Sequence, residues 1–268
     1  MPSPLIKRRN LGQIAAVLLL SLAGCNSQSG SIIEESLERV YPIEANADIT
    51  VQNEDGAVLV YGSNTNELQI HATKKAYSSR RLKEIAIDVS VHATTVSIGT
   101  KFPPKRRWAL TDHSGTVDYT IVLPATTNLQ QLRLAAGEIL VDGMRGSNLH
   151  AWLGDGRMVV HNCFSKVDLV LQRGNLTVSH DWWEHGTFSV HANIAQGNSW
   201  IFLPSESAFH LIADTAHGKI GNDFDNVAVE RPTSAAAAKI DMLINGGGQS
   251  AINIRAADGD IKIVEANP

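Results

Sequence analysis

Cysteine is scarce in this sequence, and aromatic residues are few. The 268 residues include two cysteines, Cys25 and Cys163, and only 6% of the chain is aromatic. Two cysteines exclude a small fold held together by several disulfide bonds. Cys25 belongs to an N-terminal motif described below, so Cys163 has no partner within the chain. We expect Cys163 to be a buried small apolar residue.

Basic residues are also fewer than acidic residues. The sequence has 23 Lys and Arg residues against 27 Asp and Glu residues, a net charge of −4 at pH 7. Removal of residues 1–24, predicted below, would leave 20 basic residues (23 minus 3) against 27 acidic ones, a net charge of −7. Domains that bind nucleic acid normally carry a basic surface. The composition therefore predicts no nucleic-acid partner.

The sequence lacks the short motifs that mark common catalytic and metal sites. It contains no Gly-x-Ser-x-Gly elbow and no Cys–His signature. Its Asp-Gly turns lack the carboxylate count of a calcium loop. We therefore predict no catalytic residue, no metal and no cofactor. The alternative is a β-helical carbohydrate-active enzyme acting on an envelope polysaccharide, with Asp142, Asp155 and Asp168 as candidate carboxylates.

A long apolar run occurs only near the N-terminus, where Lys7, Arg8 and Arg9 precede the apolar segment 14–22. This arrangement is typical of a signal peptide and is too short for a stable membrane span. Leu22-Ala-Gly-Cys25 follows and resembles the bacterial lipobox. The resemblance implies cleavage before Cys25 and lipidation of that cysteine, so the predicted partner is membrane lipid. An ordinary secretory signal followed by a chance cysteine is the alternative.

These features predict an exported protein that is lipid-anchored to the bacterial cell envelope. Stable anchoring requires more than one acyl chain, and bacterial lipoproteins usually carry two or three. Asn26 is not the aspartate that typically retains lipoproteins at the inner membrane of enteric bacteria, which favours the outer membrane if the cell has one. The predicted organisation is a signal peptide (1–24), a lipidated cysteine with its tether (25–40) and one β domain (41–268).

A repeat of two short alternating strands around a glycine organises the rest of the chain. Gly137, Gly156 and Gly174 are 19 and 18 residues apart, and Gly197 and Gly218 follow at 23 and 21. Alternation places apolar side chains on one face of a strand, and glycine allows a positive φ or a close backbone approach. A unit of about 20 residues cannot bury its apolar face alone, whereas stacked copies can. The repeat therefore predicts an all-β, right-handed β-solenoid, with a β-sandwich as the alternative.

The repeated unit Leu-x-Leu-x-x-x-x-Gly-x-Ile/Leu-x-Val, which recurs at Gly56, Gly137, Gly156, Gly174 and Gly259, resembles the bacterial putative-adhesin domain family. Val117-Asp-Tyr-Thr-Ile-Val-Leu-Pro124 precedes its most regular copies, and the resemblance covers residues 40–265. It implies an exported β-solenoid of largely unassigned function. It implies no functional residue, because the shared pattern consists of turns and core positions.

Two segments interrupt the repeat and supply the candidate contact residues. His180-Asp-Trp-Trp-Glu-His185 brings Trp182 and Trp183 together with His180 and His185. Tryptophan is enriched where proteins bind partners. The second segment contains Arg106, Arg107 and Trp108, which suit an anionic or acidic partner. We predict a binding or scaffolding module for an envelope protein or glycan, without catalytic activity.

Overall fold

A computed structural model describes residues 32–103, 115–224 and 238–266. The predicted signal peptide, the lipidation site Cys25 and the tether up to residue 31 lie outside these ranges. The basic–aromatic segment with Arg106, Arg107 and Trp108 also lies outside them. Within the described ranges, no helix is both long enough and apolar enough to cross a membrane.

The fold is all-β, and the strands of the described residues belong to one sheet of 15 strands. One short helix, α1, interrupts them near the N-terminal end. In chain order the elements are β1 (Ile33–Pro42), β2 (Asp48–Ser63), β3 (Glu67–Ala76), α1 (Ser79–Glu84), β4 (Ala86–His92), β5 (Thr95–Lys101), β6 (Thr116–Pro124), β7 (Asn128–Asp142), β8 (Asn148–His161), β9 (Lys166–Ser179), β10 (Ser189–Leu203), β11 (Phe209–His217), β12 (Ile220–Asn222), β13 (Ala238–Ile244), β14 (Ala251–Asp258) and β15 (Ile261–Glu265).

The repeated units form a stack of long parallel strands. β2, β7, β8, β9 and β10 pair side by side in parallel, and the corner glycine of each strand lies opposite that of the next. These glycines have φ values between +121° and +137°. We call the part of each strand before its glycine the first arm and the part after it the second arm. The glycine spacing in the sequence therefore sets the register of the stack.

The corner requires glycine for two physical reasons. A positive φ of this size is a conformation that side chains with a Cβ rarely adopt. In addition, a Cβ on Gly137, Gly156, Gly174 or Gly197 would lie 1.7–1.9 Å from the carbonyl oxygen of the preceding glycine in the stack. The backbones at the corners therefore approach so closely that only hydrogen fits between them.

The hydrophobic core lies between the arms. In β8, Leu149, Ala151 and Leu153 of the first arm are buried, as are Met158 and Val160 of the second. The equivalent alternate positions of β7, β9 and β10 are filled mainly by Leu, Ile and Val. Because side chains alternate across a strand, each arm has one buried face and one face directed to solvent.

The last strands in the sequence do not form the last layer of the stack. β14 and β15 pair in parallel with β10, and β11 and β12 pair with β14 and β15 on their other side. Gly259 follows Gly197 in the stack, and a Cβ on Gly218 would lie 2.0 Å from the Gly259 carbonyl oxygen. The C-terminal unit is thus inserted between two units that precede it in the chain.

The sheet begins earlier than the predicted domain boundary at residue 41. β1 pairs antiparallel with β3 along its whole length, from Ile33 opposite Ala76 to Pro42 opposite Glu67. Lys74 forms a 2.7 Å ion pair with Glu35 across this strand pair. The charged residues of 33–40 obscure the alternation, so the sequence predicts a tether there; in the structure these residues form an edge strand.

Candidate functional site

The predicted contact loop joins β9 to β10. The connections between β7 and β8 (143–147) and between β8 and β9 (162–165) are short, whereas this one spans residues 180–188. The additional residues lie beside the start of the first arms of β8 and β9, at Asn148 and Lys166. We refer to residues 180–188 as the aromatic loop.

His180 lies inside the protein, although the sequence suggested an exposed contact residue. It is 3% exposed, and its Nε2 lies 3.2 Å from the carbonyl oxygen of Cys163. Its ring packs against Phe164 and Phe188, with centroids 4.8 and 5.6 Å apart. Burial lowers the pKa of His180 to about 4. His180 therefore supports the loop from beneath as a neutral imidazole and does not form part of the exposed surface.

Trp183 also supports the loop. Its ring packs on Phe188 and Phe209, with centroids 5.0 and 5.6 Å apart, and it is partly buried against the core. This burial fixes the end of the loop that leads into β10. Of the two adjacent tryptophans, Trp183 thus mainly packs the loop against the core.

Trp182 has the opposite environment. It is 43% exposed, and its Nε1 donates a 2.9 Å hydrogen bond to Glu184. Arg145 donates two hydrogen bonds, of 2.8 and 2.6 Å, to the same carboxylate and lowers the pKa of Glu184. The Trp182 ring also lies 5.7 Å from that of Phe164. An exposed indole is thereby held in one position by a paired carboxylate and a neighbouring ring.

A second set of polar contacts fixes the start of the loop. Asn162 accepts a 2.9 Å hydrogen bond from the backbone N–H of Asp181 and donates one of 3.0 Å to its carboxylate. The ring nitrogens of His161 lie 3.0 Å from Asp142 and 3.0 Å from Asp181. The contacts of Asn162 and His161 lower the pKa of Asp181. Both ends of the aromatic loop are thus tied to the stack.

An open groove of about 500 Å³ lies between the loop and the first arms. It is lined by Phe164, Glu184 and exposed His185 and by Asn148 and Lys166, among others. The groove therefore combines an aromatic ring with an amide, an imidazole and an ammonium group. Such a mixture suits a polar ligand that also has an apolar face.

The first arms carry a further polar surface on their solvent-facing side. His150 and Trp152 of β8, Asp168 of β9 and His191 of β10 point outward from the sheet. In the register, Asp168 lies between His150 and His191, so these histidines alternate with a carboxylate.

The three candidate carboxylates do not gather in one cleft. Asp142 lies on a second arm and contacts His161, whereas Asp155 and Asp168 lie on first arms and contact Arg173 and His150 at 3.5 and 3.2 Å. Across residues 32–103, 115–224 and 238–266, no group of three or more His, Cys, Asp or Glu side chains is placed to hold a metal ion. Burial raises the pKa of the Cys163 thiol to about 12, as befits a structural residue.

No protein-family model and no curated protein matches the chain. The structure of a putative cell adhesion protein from Clostridium sporogenes is similar over 87% of this chain and 100% of that one, with a TM-score of 0.50 and 14% sequence identity. A putative adhesin from Bacteroides fragilis covers 86% of this chain and 97% of its own at 11% identity. A putative lipid binding protein from Parabacteroides distasonis covers the same shares at 10% identity, and both have TM-scores of 0.28.

The likeness to the Clostridium sporogenes protein concerns the fold. Its name matches the family that the glycine repeat indicated, and the recognition made from the sequence is confirmed at that level.

Proposed function

We propose that this protein is an exported, lipid-anchored binding module of the bacterial cell envelope, with Cys25 as its lipidated residue and the outer membrane as its site where the cell has one. We also propose that its parallel units form a right-handed β-solenoid, in keeping with their in-register stacking. The adhesion name of the Clostridium sporogenes protein agrees with this role.

The exposed Trp182 carries the proposal for a contact site. This large aromatic side chain is 43% exposed and is held in place by Glu184 and Phe164, and tryptophan is enriched where proteins bind partners. It stands beside a groove lined by groups that donate and accept hydrogen bonds. We infer that Trp182 and His185 contact an envelope protein or glycan, and we assign Arg106, Arg107 and Trp108 the same role.

We further propose that the module has no catalytic activity. The carboxylates considered for a β-helical enzyme are separated between the two arms and each faces a basic partner. General acid–base chemistry on a glycan needs two carboxyl groups placed together. We therefore favour a binding role over the enzymatic alternative.

Lipid anchoring is tested with the full-length protein and its Cys25→Ser variant. We expect the wild type to sediment with membranes after a high-salt wash and the variant to be released. Mass spectrometry of the N-terminal peptide should show an acylated cysteine in the wild type. A wild type that is washed off, with an unmodified cysteine, would contradict the anchor.

The contact site is tested by retention of envelope components on the detergent-solubilised, tagged protein. We expect the Trp182→Ala variant to retain at least tenfold less of any component that the wild type retains. The change removes the exposed indole and leaves the core intact. Trp200→Ala is the matched control, since Trp200 is partly exposed on a second arm and lines a different groove, with Lys219 and Lys262. Equal loss in both variants would refute a specific role for Trp182.

A further inference from the structure

The groove beside the aromatic loop continues onto the outer face of the first arms. Asn148 and Lys166 line the groove and also begin the first arms of β8 and β9. The next outward residues along β8 are His150 and Trp152. A ligand seated in the groove and extended along β8 therefore passes over these side chains in turn.

Trp152 forms a second aromatic platform at the far end of this path. The guanidinium carbon of Arg133, on the neighbouring strand, lies 3.8 Å from the centroid of its ring. The ring reaches over Gly154, where an added Cβ would lie 3.2 Å from it. The Arg133 cation occupies one face of the indole and Gly154 approaches only its Cη2 edge, so the ring is fixed on the sheet and a ligand can stack on the opposite face. It is only partly exposed, and its surroundings are polar.

Polar groups occupy the middle of the path. His150 Nδ1 lies 3.2 Å from the Asp168 carboxylate, and both side chains are about half exposed, at 45% and 48%. His191 lies across from Asp168 on the next strand and is exposed. Donors and acceptors therefore alternate across three strands that are about 4.8 Å apart.

The dimensions fit an extended ligand. Asn148 and Trp152 are four residues apart on one strand, a distance of about 13 Å. The groove extends this path beyond Asn148 to Glu184, to which Trp182 donates a 2.9 Å hydrogen bond. A single sugar ring or a short side chain cannot reach both tryptophans, whereas a chain of several sugars can.

We propose that this surface binds a linear glycan, with Trp182 and Trp152 as two stacking platforms and His150, Asp168 and Lys166 as hydrogen-bonding groups between them. The proposal rests on the binding role of the aromatic loop and names its ligand class. A pyranose ring has one apolar face, which stacks on an indole, and hydroxyl groups that both donate and accept hydrogen bonds.

The same features argue against a protein partner on this face. The central part of a protein interface is depleted in charged residues and is largely apolar. Here the tryptophans stand apart, and His150, Asp168, Arg133 and Lys166 occupy the space between and around them. An extended polar chain satisfies these groups along its length, because every sugar unit presents hydroxyl groups to the sheet.

The test measures binding of two oligosaccharide series to the full-length protein in detergent by calorimetry. The probes are β-1,4-linked glucose oligomers and β-1,4-linked N-acetylglucosamine oligomers of two to six sugars. We expect a hexamer in one series to bind at least tenfold more tightly than its dimer. Trp152→Ala should remove this length dependence and leave the dimer affinity within twofold, whereas Trp182→Ala should weaken every length.

The control variant is Trp200→Ala, which should bind both lengths as the wild type does. Circular dichroism checks that each variant is folded, and folding is expected because all three tryptophans face outward. A hexamer that binds no more tightly than the dimer, or a Trp152→Ala variant that keeps the length dependence, would overturn the extended path. Those results leave the role of the aromatic loop intact.

Absence of binding in both series would overturn the glycan as ligand, and the retention experiment above would still report on the loop. If Trp152→Ala loses the length dependence and Trp182→Ala binds as the wild type does, the contact role of the aromatic loop is refuted. Glycan binding by the face of the first arms is then retained. The two proposals can therefore fail separately.

Discussion

Gly156 offers the most direct test of the stacked corners. It has a φ of +136°, and a Cβ at this position would lie 1.9 Å from the carbonyl oxygen of Gly137. In the Gly156→Ala variant, either the corner of β8 moves away from β7 or the backbone leaves its positive φ. Each change disturbs the parallel pairing on both sides of the strand.

The expected cost follows from two terms. A side chain held in a sparsely populated φ region costs about 1–3 kcal/mol. Forcing an additional methyl group into a packed position costs a further 1–3 kcal/mol or so. We therefore expect Gly156→Ala to lower the free energy of unfolding by about 2–6 kcal/mol, a large part of the roughly 5–15 kcal/mol that stabilises a typical domain.

Urea unfolding followed by circular dichroism measures this change, with Gly99→Ala as the matched control. Gly99 lies in β5 and has no positive φ, and a Cβ added to it would have no other atom within 4 Å. Its replacement should leave stability unchanged or raise it by up to about 1 kcal/mol, because alanine restricts the unfolded chain. If Gly156→Ala loses less than about 1 kcal/mol, the corners do not require glycine and the reasoning is refuted.

Three further predictions concern single buried side chains. The Ser199 hydroxyl is buried without a hydrogen-bond partner between Leu176 and Ile261, so Ser199→Ala should raise the free energy of unfolding by about 1 kcal/mol; a loss of stability in urea unfolding would contradict this. Because the folded pKa of His180 is about 4, below the usual 6.5, its stabilising effect is complete above pH 6.5 and declines as the pH falls towards 4. We expect a loss of about 2 kcal/mol between pH 7 and pH 5 that a folded His180→Phe variant lacks, and an unchanged pH profile in that variant would reject the assignment. Cys163 should not react with a thiol reagent at pH 8 until the protein is unfolded, since burial raises its pKa to about 12; rapid labelling of the native protein would show otherwise.

The division of roles within the aromatic loop could not be predicted from the sequence. Trp182 and Trp183 are adjacent and chemically identical, yet one faces solvent and the other packs on Phe188 and Phe209. His180 is buried because Phe164 and Phe188 surround its ring. These environments are created by side chains from neighbouring strands, and a local sequence pattern contains no information about them.

The path from the groove to Trp152 was also only partly visible in the sequence. Trp152 and His150 stand two residues apart on one strand, so their common face follows from alternation alone. Arg133 and Asp168 belong to other units, and their positions beside Trp152 and His150 depend on the register of the stack. The corner glycines set that register, but which units lie side by side is decided only in the folded chain.

The sequence by itself determined the all-β class, the glycine-centred unit and the alternation that buries one face of each arm. These features are local, because a strand period of two residues and a glycine at a fixed position can be read along the chain. The tertiary structure decided the order of the layers. β14 and β15 lie between β10 and the β11–β12 pair, although they come last in the chain. Pairing between distant strands is determined by the energy of the whole sheet, and no short segment records it.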